Sequence, residues 1–407
     1  MQIGPDGSFH LTYCTKIHPT HGWEEFFAHI RACVPALKAR LAPDRPFGLG
    51  LRLSDSESRE LLARDNLPRF KEFLAQNDVY IFTLNGFPYG PFRGPSVKAA
   101  VFSPDWREQA RVAYTERLVD ILASLLPPGL EGSISTLPLS YKPWITTDDA
   151  RALERITDNL VRIVRILMEV RAGQGRVIHL DLEPEPDGLL ETGAEVVDFF
   201  EQWLLRRGAR VLAEGTGMSL AQARALILEH IQICLDTCHL AVTYEDLALV
   251  LDRFQTHGIR AGKVQITSGL KLLIPDSLEQ RRALYTQLEP FSRSPYLHQV
   301  LAQRDGRGSL GHYPDLADIL PHLGASADRQ WRIHFHMPLY VAGFEGLATT
   351  QEETRAMLRI LKERRFSQHL ELETYTWEVL PAALQRDILD SLEQEYRWTL
   401  EILDQEA

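Results

Sequence analysis

Short apolar segments alternate with long amphipathic segments along the whole 407-residue chain. Nine of the short segments have the apolar or alternating pattern and the β-branched residues that are typical of strands. They are His10–Ile17, Phe47–Leu53, Val79–Leu84, Gly132–Leu137, Arg176–Leu182, Ile231–Leu235, Ala261–Ile266, Trp331–Phe335 and His369–Leu372. The segments between them carry apolar residues at steps of three and four, as in Leu153, Ile156 and Leu160, which predicts helices with one buried face. Alternating strands and helices predict a parallel sheet covered by helices.

Eight or nine such units in one chain favour a closed barrel over an open sheet, so we expect a (β/α)₈ barrel. The ninth candidate, Trp331–Phe335, is then an ordered loop after the seventh strand. A barrel of this kind runs from about 200 to over 400 residues, so we expect a single domain over residues 1–407. Two segments resemble long strand-end insertions, near residues 86–104, which are rich in Gly and Pro, and near residues 268–327.

The charge balance is acidic, with 44 basic and 55 acidic side chains and a net charge of −11. Such a surface repels a phosphate backbone, so we do not expect long nucleic acid as a partner. No run of about 18 apolar residues is present, so we expect no membrane span. The four cysteines are few for the chain length, which predicts reduced thiols and a cytoplasmic location.

Acidic residues stand at the carboxyl ends of two of the predicted strands. The motif "IHLDLEPEP" contains Asp181 and Glu183, and "LELETY" contains Glu371 and Glu373. Residues two apart lie on the same face of a strand, and the second of each pair lies nearer the barrel mouth. The carboxyl-terminal mouth is the catalytic face of a (β/α)₈ barrel. We therefore predict Glu183 and Glu373 as ligands, with Asp181 and Glu371 behind them.

The two intervening strands add Asp236 and Gln265 to this set. Glu183, Asp236, Gln265 and Glu373 then come from four successive strands. Three carboxylates with one neutral donor suit Mn²⁺, Mg²⁺ or Zn²⁺. A single Asp at a strand end caps a helix as often as it binds an ion. It is the repetition in register over several strands that favours a metal site.

Three histidines form a second predicted cluster: His239, His334 and His336. On an extended segment, the two residues His334 and His336 present their rings to the same side. Three imidazoles favour Zn²⁺ or Fe²⁺. Across both clusters we expect a divalent metal, with Zn²⁺ or Mn²⁺ favoured and Mg²⁺ or Fe²⁺ as alternatives.

The motif "ICLDTCHLA", between Glu183 and Glu373, resembles the xylose-isomerase-like TIM barrels, which include sugar isomerases, sugar epimerases and endonuclease IV. The resemblance implies a shared metal site at Glu183, Asp236, Gln265 and Glu373. "DTCH" is similar to a segment of endonuclease IV, which implies a further zinc at His239, His334 and His336. Gln265 stands where that superfamily usually has a histidine, and "TLNGFPYG" and "STLPLSYK" lack the histidines of a three-zinc nuclease.

A narrower resemblance extends over nearly the full length of the chain. The motifs "LTYCTKIHP", "LNGFPYG", "LDLEPEP", "VQITSGL" and "HFHMPLY" resemble EboE-type metabolite-traffic proteins of bacterial biosynthetic operons. This resemblance implies a role in processing or moving a small-molecule precursor, together with partner proteins of the same pathway. It implies no particular reaction.

The first hypothesis for function is a metal-dependent isomerase or epimerase of a sugar or another hydroxy-carbonyl compound. Glu183 and Glu373, on opposite sides of the substrate, would remove and return a proton. Eight further residues are candidates to contact the substrate: Tyr13, Lys16, His18, Asn85, Tyr89, Arg93, Lys142 and Tyr375.

Two alternatives remain open from the sequence. The three histidines could hold a zinc ion that activates water for the hydrolysis of a phosphodiester or another ester. The barrel could also be a non-catalytic carrier of a biosynthetic intermediate, with "NGFPYGPF" as an aromatic lid.

Overall fold

Eight parallel strands follow one another around a barrel in the computed structural model. We label these barrel strands β1 (Phe9–Tyr13), β2 (Phe47–Arg52), β3 (Val79–Asn85), β4 (Gly132–Thr136), β5 (Ile178–Leu182), β6 (Ile231–Asp236), β7 (Ala261–Ile266) and β8 (His369–Leu372). The structure describes all residues except 5–6, 19–20, 92–97, 146–147, 305–309, 378, 382 and 405–407.

The strands pair in chain order from β2 to β8, and β8 also pairs in parallel with β1. Between β1 and β2, a parallel bridge joins Cys14 to Gly50, and the Gly50 amide donates to Thr12 Oγ1 at 2.6 Å. These contacts close the sheet. The predicted (β/α)₈ barrel is therefore confirmed.

The barrel interior contains polar side chains that pair with one another. Every residue of β2 and of β4 to β8 is buried, as expected for parallel strands covered on both faces. Lys263 Nζ lies 2.6 Å from Glu371 Oε2, and both side chains are fully buried. His179 Nδ1 lies 2.7 Å from Asp181 Oδ1. Each buried charge in this layer has a protein partner, which offsets the cost of removing it from water.

Helices surround the barrel. The α-helices are Trp23–Leu41, Asp55–Leu62, Asn66–Gln76, Gln109–Leu125, Ala150–Gln174, Gly193–Phe199, Ala209–Thr216, Leu220–His230, Thr237–Val242, Leu247–Thr256, Leu278–Ser292, Leu316–Ile319, Gln351–Arg364 and Ile388–Asp404. A π-helix covers Phe200–Gly208, and short 3₁₀ helices cover Thr15–Ile17, Lys98–Phe102, Lys142–Trp144 and Leu320–Ala325. Leu153, Ile156 and Leu160 are buried in Ala150–Gln174, as their spacing predicts. Among the described residues, no helix combines the length and apolar character that a membrane span needs.

A second, antiparallel sheet lies in the chain between β7 and the helix Gln351–Arg364. Its strands are Leu270–Leu273, Val300–Gln303, Leu310–Tyr313, Gln330–Ile333, Gly343–Phe344 and Leu347–Thr349. The ninth strand candidate therefore lies outside the barrel, but Gln330–Ile333 is a strand of this sheet and not a loop. A short strand, Gln2–Ile3, pairs antiparallel with β1.

Candidate metal centre

The four predicted ligands of the strand-end set lie at the carboxyl-terminal mouth of the barrel. Glu183 follows β5, Asp236 ends β6, Gln265 lies in β7 and Glu373 follows β8. All four are buried. Asp236 and Gln265 are register partners, and Gln265 is in turn the register partner of Glu371 in β8. The topology thus brings side chains from four successive strands to one mouth.

The three predicted histidines meet at the same mouth. His239 lies in the helix Thr237–Val242, one turn after Asp236, and His334 and His336 directly follow the strand Gln330–Ile333. All three are buried, and each has a ring nitrogen within 4.8 Å of a ring nitrogen of the other two. The antiparallel sheet therefore supplies two histidines and the barrel supplies the third.

The hydrogen bonds of His239 and His336 determine their tautomers. His239 Nδ1 lies 3.0 Å from the carbonyl oxygen of Pro184, and His336 Nδ1 lies 2.6 Å from that of Glu373. A carbonyl oxygen can only accept, so each Nδ1 carries the hydrogen. In the neutral rings each Nε2 then presents its lone pair. An outer hydrogen bond of this kind is typical of histidines that bind metals.

His334 has the same arrangement through a side chain. Its Nδ1 lies 2.9 Å from Gln299 Oε1, and Gln299 Nε2 donates to the carbonyl of Pro186 at 2.9 Å, which fixes the orientation of the amide. His334 Nε2 lies 3.0 Å from His239 Nε2. Two lone pairs at this distance repel each other unless a cation lies beside both. Tetrahedral zinc with ordinary Zn–N bonds would separate two ligand nitrogens by about 3.3 Å.

Burial keeps these rings neutral. It lowers the pKa of His239 to about 4 and the pKa of His336 below its ordinary value. Burial and the neighbouring histidines lower the pKa of His334 well below its ordinary value. Neutral imidazole is the form that binds a metal. At neutral pH the three rings therefore carry no extra proton, and their nitrogens are available to bind a metal ion.

Two carboxylates beside the histidines have buried oxygens without a hydrogen-bond partner among the described residues. Asp236 Oδ1 accepts from the amides of Cys238 at 2.7 Å and His239 at 3.2 Å, while Asp236 Oδ2 has no such partner. The same is true of Glu183 Oε2. Burial raises the pKa of Asp236, and burial together with the charge of Glu373 raises that of Glu183 well above its ordinary value. Such oxygens are costly unless a cation compensates them. We call these two carboxylates and the three histidines the histidine side of the mouth.

Glu373 has the opposite environment. Its Oε1 accepts from Lys16 Nζ at 2.6 Å and from Asn85 Nδ2 at 2.7 Å, and its Oε2 accepts from Gln265 Nε2. Burial is the largest single effect on the pKa of Glu373 and raises it, but the nearby basic groups, Lys16 foremost, together outweigh burial and leave the pKa below its ordinary value. Gln265 Oε1 accepts from the thiol of Cys234 at 2.7 Å, so this oxygen is already engaged. We call Lys16, Asn85, Gln265 and Glu373 the lysine side.

A cavity opens between the two sides, and the space in it that the centre of a water-sized sphere can occupy is about 50 Å³. Its polar lining consists of Lys16, Lys98, Glu183, Glu185, His239, Gln299, His334, His336 and Glu373. Its apolar lining consists of Phe87, Pro88, Val101, Phe102, Tyr296, Leu297 and Tyr375. A ligand here would contact the predicted ligand residues with one end and aromatic rings with the other.

Three of the predicted substrate contacts lie at this cavity. Lys16 and Tyr375 line it, and Lys16 Nζ lies 4.3 Å from the centre of the Tyr375 ring. Asn85 reaches the site through its hydrogen bond to Glu373.

Three others are directed to partners away from the cavity lining. The hydroxyl of Tyr13 lies 3.0 Å from His18 Nε2, so these two predicted contacts bind each other. The Tyr89 ring packs edge-on against Tyr114, with 5.2 Å between ring centres. None of the three is among the residues that line the cavity.

The remaining two predicted contacts are Lys142 and Arg93. Lys142 Nζ lies 2.6 Å from Glu191 and 2.9 Å from Glu195, so its charge is neutralised outside the cavity lining. Arg93 lies outside the described residues.

Glu185 and Gln299, beside the histidines, were not predicted as ligands or contacts. Glu185 is buried, its Oε2 lies 3.8 Å from His239 Nε2, and burial raises its pKa well above its ordinary value. The run of acids in "LDLEPEP" was its signal in the sequence. Gln299 lies in the insertion after β7, where no pattern in the sequence distinguishes it.

No family model and no curated protein matches the chain. Solved structures do align with it. A D-tagatose 3-epimerase-like protein is 12% identical, with 97% of this chain and 98% of that chain covered and a TM-score of 0.46. The IOLI protein, solved with a bound zinc atom, is 11% identical, with coverages of 97% and 98% and a TM-score of 0.46. A xylose isomerase domain protein from Planctomyces limnophilus is 11% identical, with coverages of 98% and 99% and a TM-score of 0.48.

At these identities and scores the alignments carry no inference about activity, and the barrel is established by the chain's own strand order. The narrower resemblance to EboE-type proteins stays a prediction. The solved structures similar to this chain include xylose isomerase domain proteins, the superfamily that its strand-end motifs resemble.

Proposed function

We propose that this protein is a metal-dependent enzyme that acts on a small molecule and binds its metal at the histidine side. The observation that supports this is a group of nitrogen and oxygen atoms whose lone pairs could bind a metal. Three neutral imidazoles present Nε2 lone pairs beside two buried carboxylate oxygens that lack a partner among the described residues. Three imidazoles with a carboxylate favour Zn²⁺, and Mn²⁺ is the alternative.

For the reaction we propose isomerisation of a hydroxy-carbonyl compound, in which one base can move a proton between neighbouring carbons on the same face of the substrate. A bound divalent ion would supply Lewis acidity toward a carbonyl oxygen. Glu183 is the residue that we propose moves the proton, because it lines the cavity and because its Oε2 has no hydrogen-bond partner among the described residues. A carboxylate oxygen that no protein donor holds can act as a general base toward a substrate bound in the cavity.

Glu373 is a poor second base. Three donors hold its carboxylate, and the ammonium of Lys16 keeps its pKa below the ordinary value. We therefore propose one proton-transferring carboxylate in place of the pair expected from the sequence. Glu373 and Lys16 then position the substrate, and both groups stay ionised near neutral pH.

Deuterium exchange tests this proposal. Zinc-loaded protein is incubated in D₂O with a panel of hydroxy-aldehydes and hydroxy-ketones, and label at the carbon beside the carbonyl is followed by NMR. We expect exchange in the wild type and a loss of about 10²-fold or more in Glu183→Gln, the range of general base catalysis. Glu191→Gln, an acid that pairs with Lys142 outside this cavity, is the matched control. Full exchange in Glu183→Gln would reject the single-base mechanism.

Hydrolysis of a small ester is the second candidate, and the three-histidine donor set is the observation that favours it. In catalytic zinc sites, three protein ligands leave one position for water, which becomes a nucleophile near neutral pH. Turnover of model phosphodiesters and carboxylic esters, without carbon–hydrogen exchange of hydroxy-carbonyl compounds, would support this candidate over the first.

A further inference from the structure

Glu373 receives its hydrogen bonds from three different parts of the barrel. Lys16 lies in the 3₁₀ helix after β1, Asn85 ends β3 and Gln265 lies in β7. The side chains of Lys16 and Glu373 are only 8% and 2% exposed, so the ion pair is well shielded from water. A buried pair with good geometry and further hydrogen bonds is the arrangement in which attraction offsets desolvation.

We propose that the Lys16 ammonium is a built-in cation for Glu373, so that the barrel mouth binds one metal ion, on the histidine side, with Glu373 outside its ligand set. This inference rests on the proposed metal function and adds the number of ions and the identity of the ligands.

The hydrogen-bonding capacity of the Glu373 carboxylate supports the proposal. An ionised carboxylate has about four acceptor positions, and Lys16, Asn85 and Gln265 use three of them. A divalent ion at Glu373 would displace the ammonium or lie close to a like charge. Burial lowers the pKa of Lys16, but the neighbouring acidic groups, Glu373 foremost, together outweigh burial and raise the pKa, so the ammonium persists 2.6 Å from Glu373.

Gln265 supports it independently. Its amide nitrogen donates to Glu373 and its oxygen accepts from Cys234, so both ends of the side chain already have protein partners. Two of the four predicted strand-end ligands are therefore engaged with protein partners. The other two, Glu183 and Asp236, keep oxygens without a hydrogen-bond partner in the described part of the chain. The donors that remain all belong to the histidine side.

Metal titration distinguishes this arrangement from a four-strand site. Wild type, Glu373→Gln, the double variant Lys16→Met/Glu373→Gln and Asp236→Asn are dialysed against Zn²⁺ at one pH, and bound metal is counted by elemental analysis. The double variant removes both charges together, so it remains informative if Glu373→Gln alone folds poorly.

We expect one ion per wild-type chain. Loss of an outer hydrogen-bond partner of a metal ligand weakens metal binding by ~10-fold or more. Both Glu373 variants should lose less affinity than this. Asp236→Asn removes a ligand and should lose more than ~100-fold. Two ions per wild-type chain would overturn the built-in cation, and so would equal losses in Glu373→Gln and Asp236→Asn. A wild-type chain that binds no ion would overturn the proposed metal function as well, so the two failures are distinguishable.

Discussion

The histidine side and the lysine side of the barrel mouth hold carboxylates that are equally buried but differently balanced. Asp236 and Glu183 each keep an oxygen without a hydrogen-bond partner in the described structure, and burial raises the pKa of both. Glu373 accepts from three donors, and Lys16 holds its pKa below the ordinary value. Burial alone therefore does not determine the charge state of a carboxylate here. The presence or absence of a protein cation does.

The polar layer below the mouth resembles the lysine side. Lys263 lies 2.6 Å from Glu371 with both side chains fully buried. Burial lowers the pKa of Lys263, but its acidic neighbours, Glu371 foremost, together outweigh burial and raise it. Twice in this barrel, a lysine neutralises a glutamate of the β8 segment. The histidine side carries no such ion pair in the described part of the chain, which is why we assign an external cation to it.

The largest expected effect concerns the lysine side. Lys16→Met leaves Glu373 buried without its cation, and breaking a buried pair by removing one partner costs about 3–5 kcal/mol. We expect this loss in the free energy of unfolding measured with urea at pH 7, and recovery of most of it in the double variant Lys16→Met/Glu373→Gln. Lys98→Met is the control, because Lys98 is 35% exposed and its pair with Asp315 should contribute about 1 kcal/mol or less. Equal losses in the two lysine variants would remove the distinction between the sides.

A smaller effect is expected from Gln299, which belongs to the histidine side through His334. Gln299→Leu removes the acceptor of the His334 Nδ1 hydrogen bond, and loss of such a partner weakens metal binding by about 10–100-fold. Gln299→Glu restores an acceptor and should recover most of the affinity for Zn²⁺ in equilibrium dialysis. If Gln299→Leu binds Zn²⁺ as tightly as the wild type, then His334 is not a ligand.

The smallest effect per group is a pH dependence that the histidine side should show and the lysine side should not. The pKa of His239 is about 4 in the folded protein and 6.5 in its ordinary range. Below pH 6.5 the unfolded chain therefore binds a proton that the folded chain does not. The contribution of His239 to the unfolding free energy of the metal-free protein should fall between pH 6.5 and about 4, by about 1.4 kcal/mol per pH unit. Buried carboxylates with raised pKa values, such as Glu183, act in the opposite direction, so the His239 term is read from the difference between variants.

His10 and His298, whose pKa values burial also lowers to about 4, should add to this slope. Because the pKa of Glu373 is lowered, this residue contributes fully to stability above its ordinary pKa of 4.5 and loses that contribution only at lower pH. The lysine side should therefore add no slope between pH 6.5 and 4.5. Urea unfolding at pH 7, 6 and 5 measures the slope. His239→Gln should reduce it by about one proton equivalent, and an unchanged slope would contradict the assignment.

Much of the site could be predicted because strand-end positions are a property of local sequence. In a parallel barrel all carboxyl-terminal strand ends meet at one mouth, so Glu183, Asp236 and Glu373 had to be neighbours once the strands were identified. The partners of these residues could not be predicted. Lys16 and Asn85 reach Glu373 from segments 357 and 288 residues away in the chain, and no local pattern links them to it.

The substrate contacts show the same limit. Lys16 and Lys142 are both lysines in loops after barrel strands, and the sequence offers no difference between them. The fold places Glu191 and Glu195 beside Lys142 and directs Lys16 into the cavity. The single-domain description, the cytoplasmic location and the pathway partners stay predictions.

The sequence by itself determined the barrel and the location of its mouth, because hydrophobic period and strand-end polarity are local patterns. Only the tertiary structure decided which carboxylates have a protein cation and which do not. Charge balance at a buried site depends on groups that the chain brings together over long sequence separations. That balance separates the lysine side from the histidine side, and it is the reason why we propose one metal ion where the sequence offered two sets of ligands.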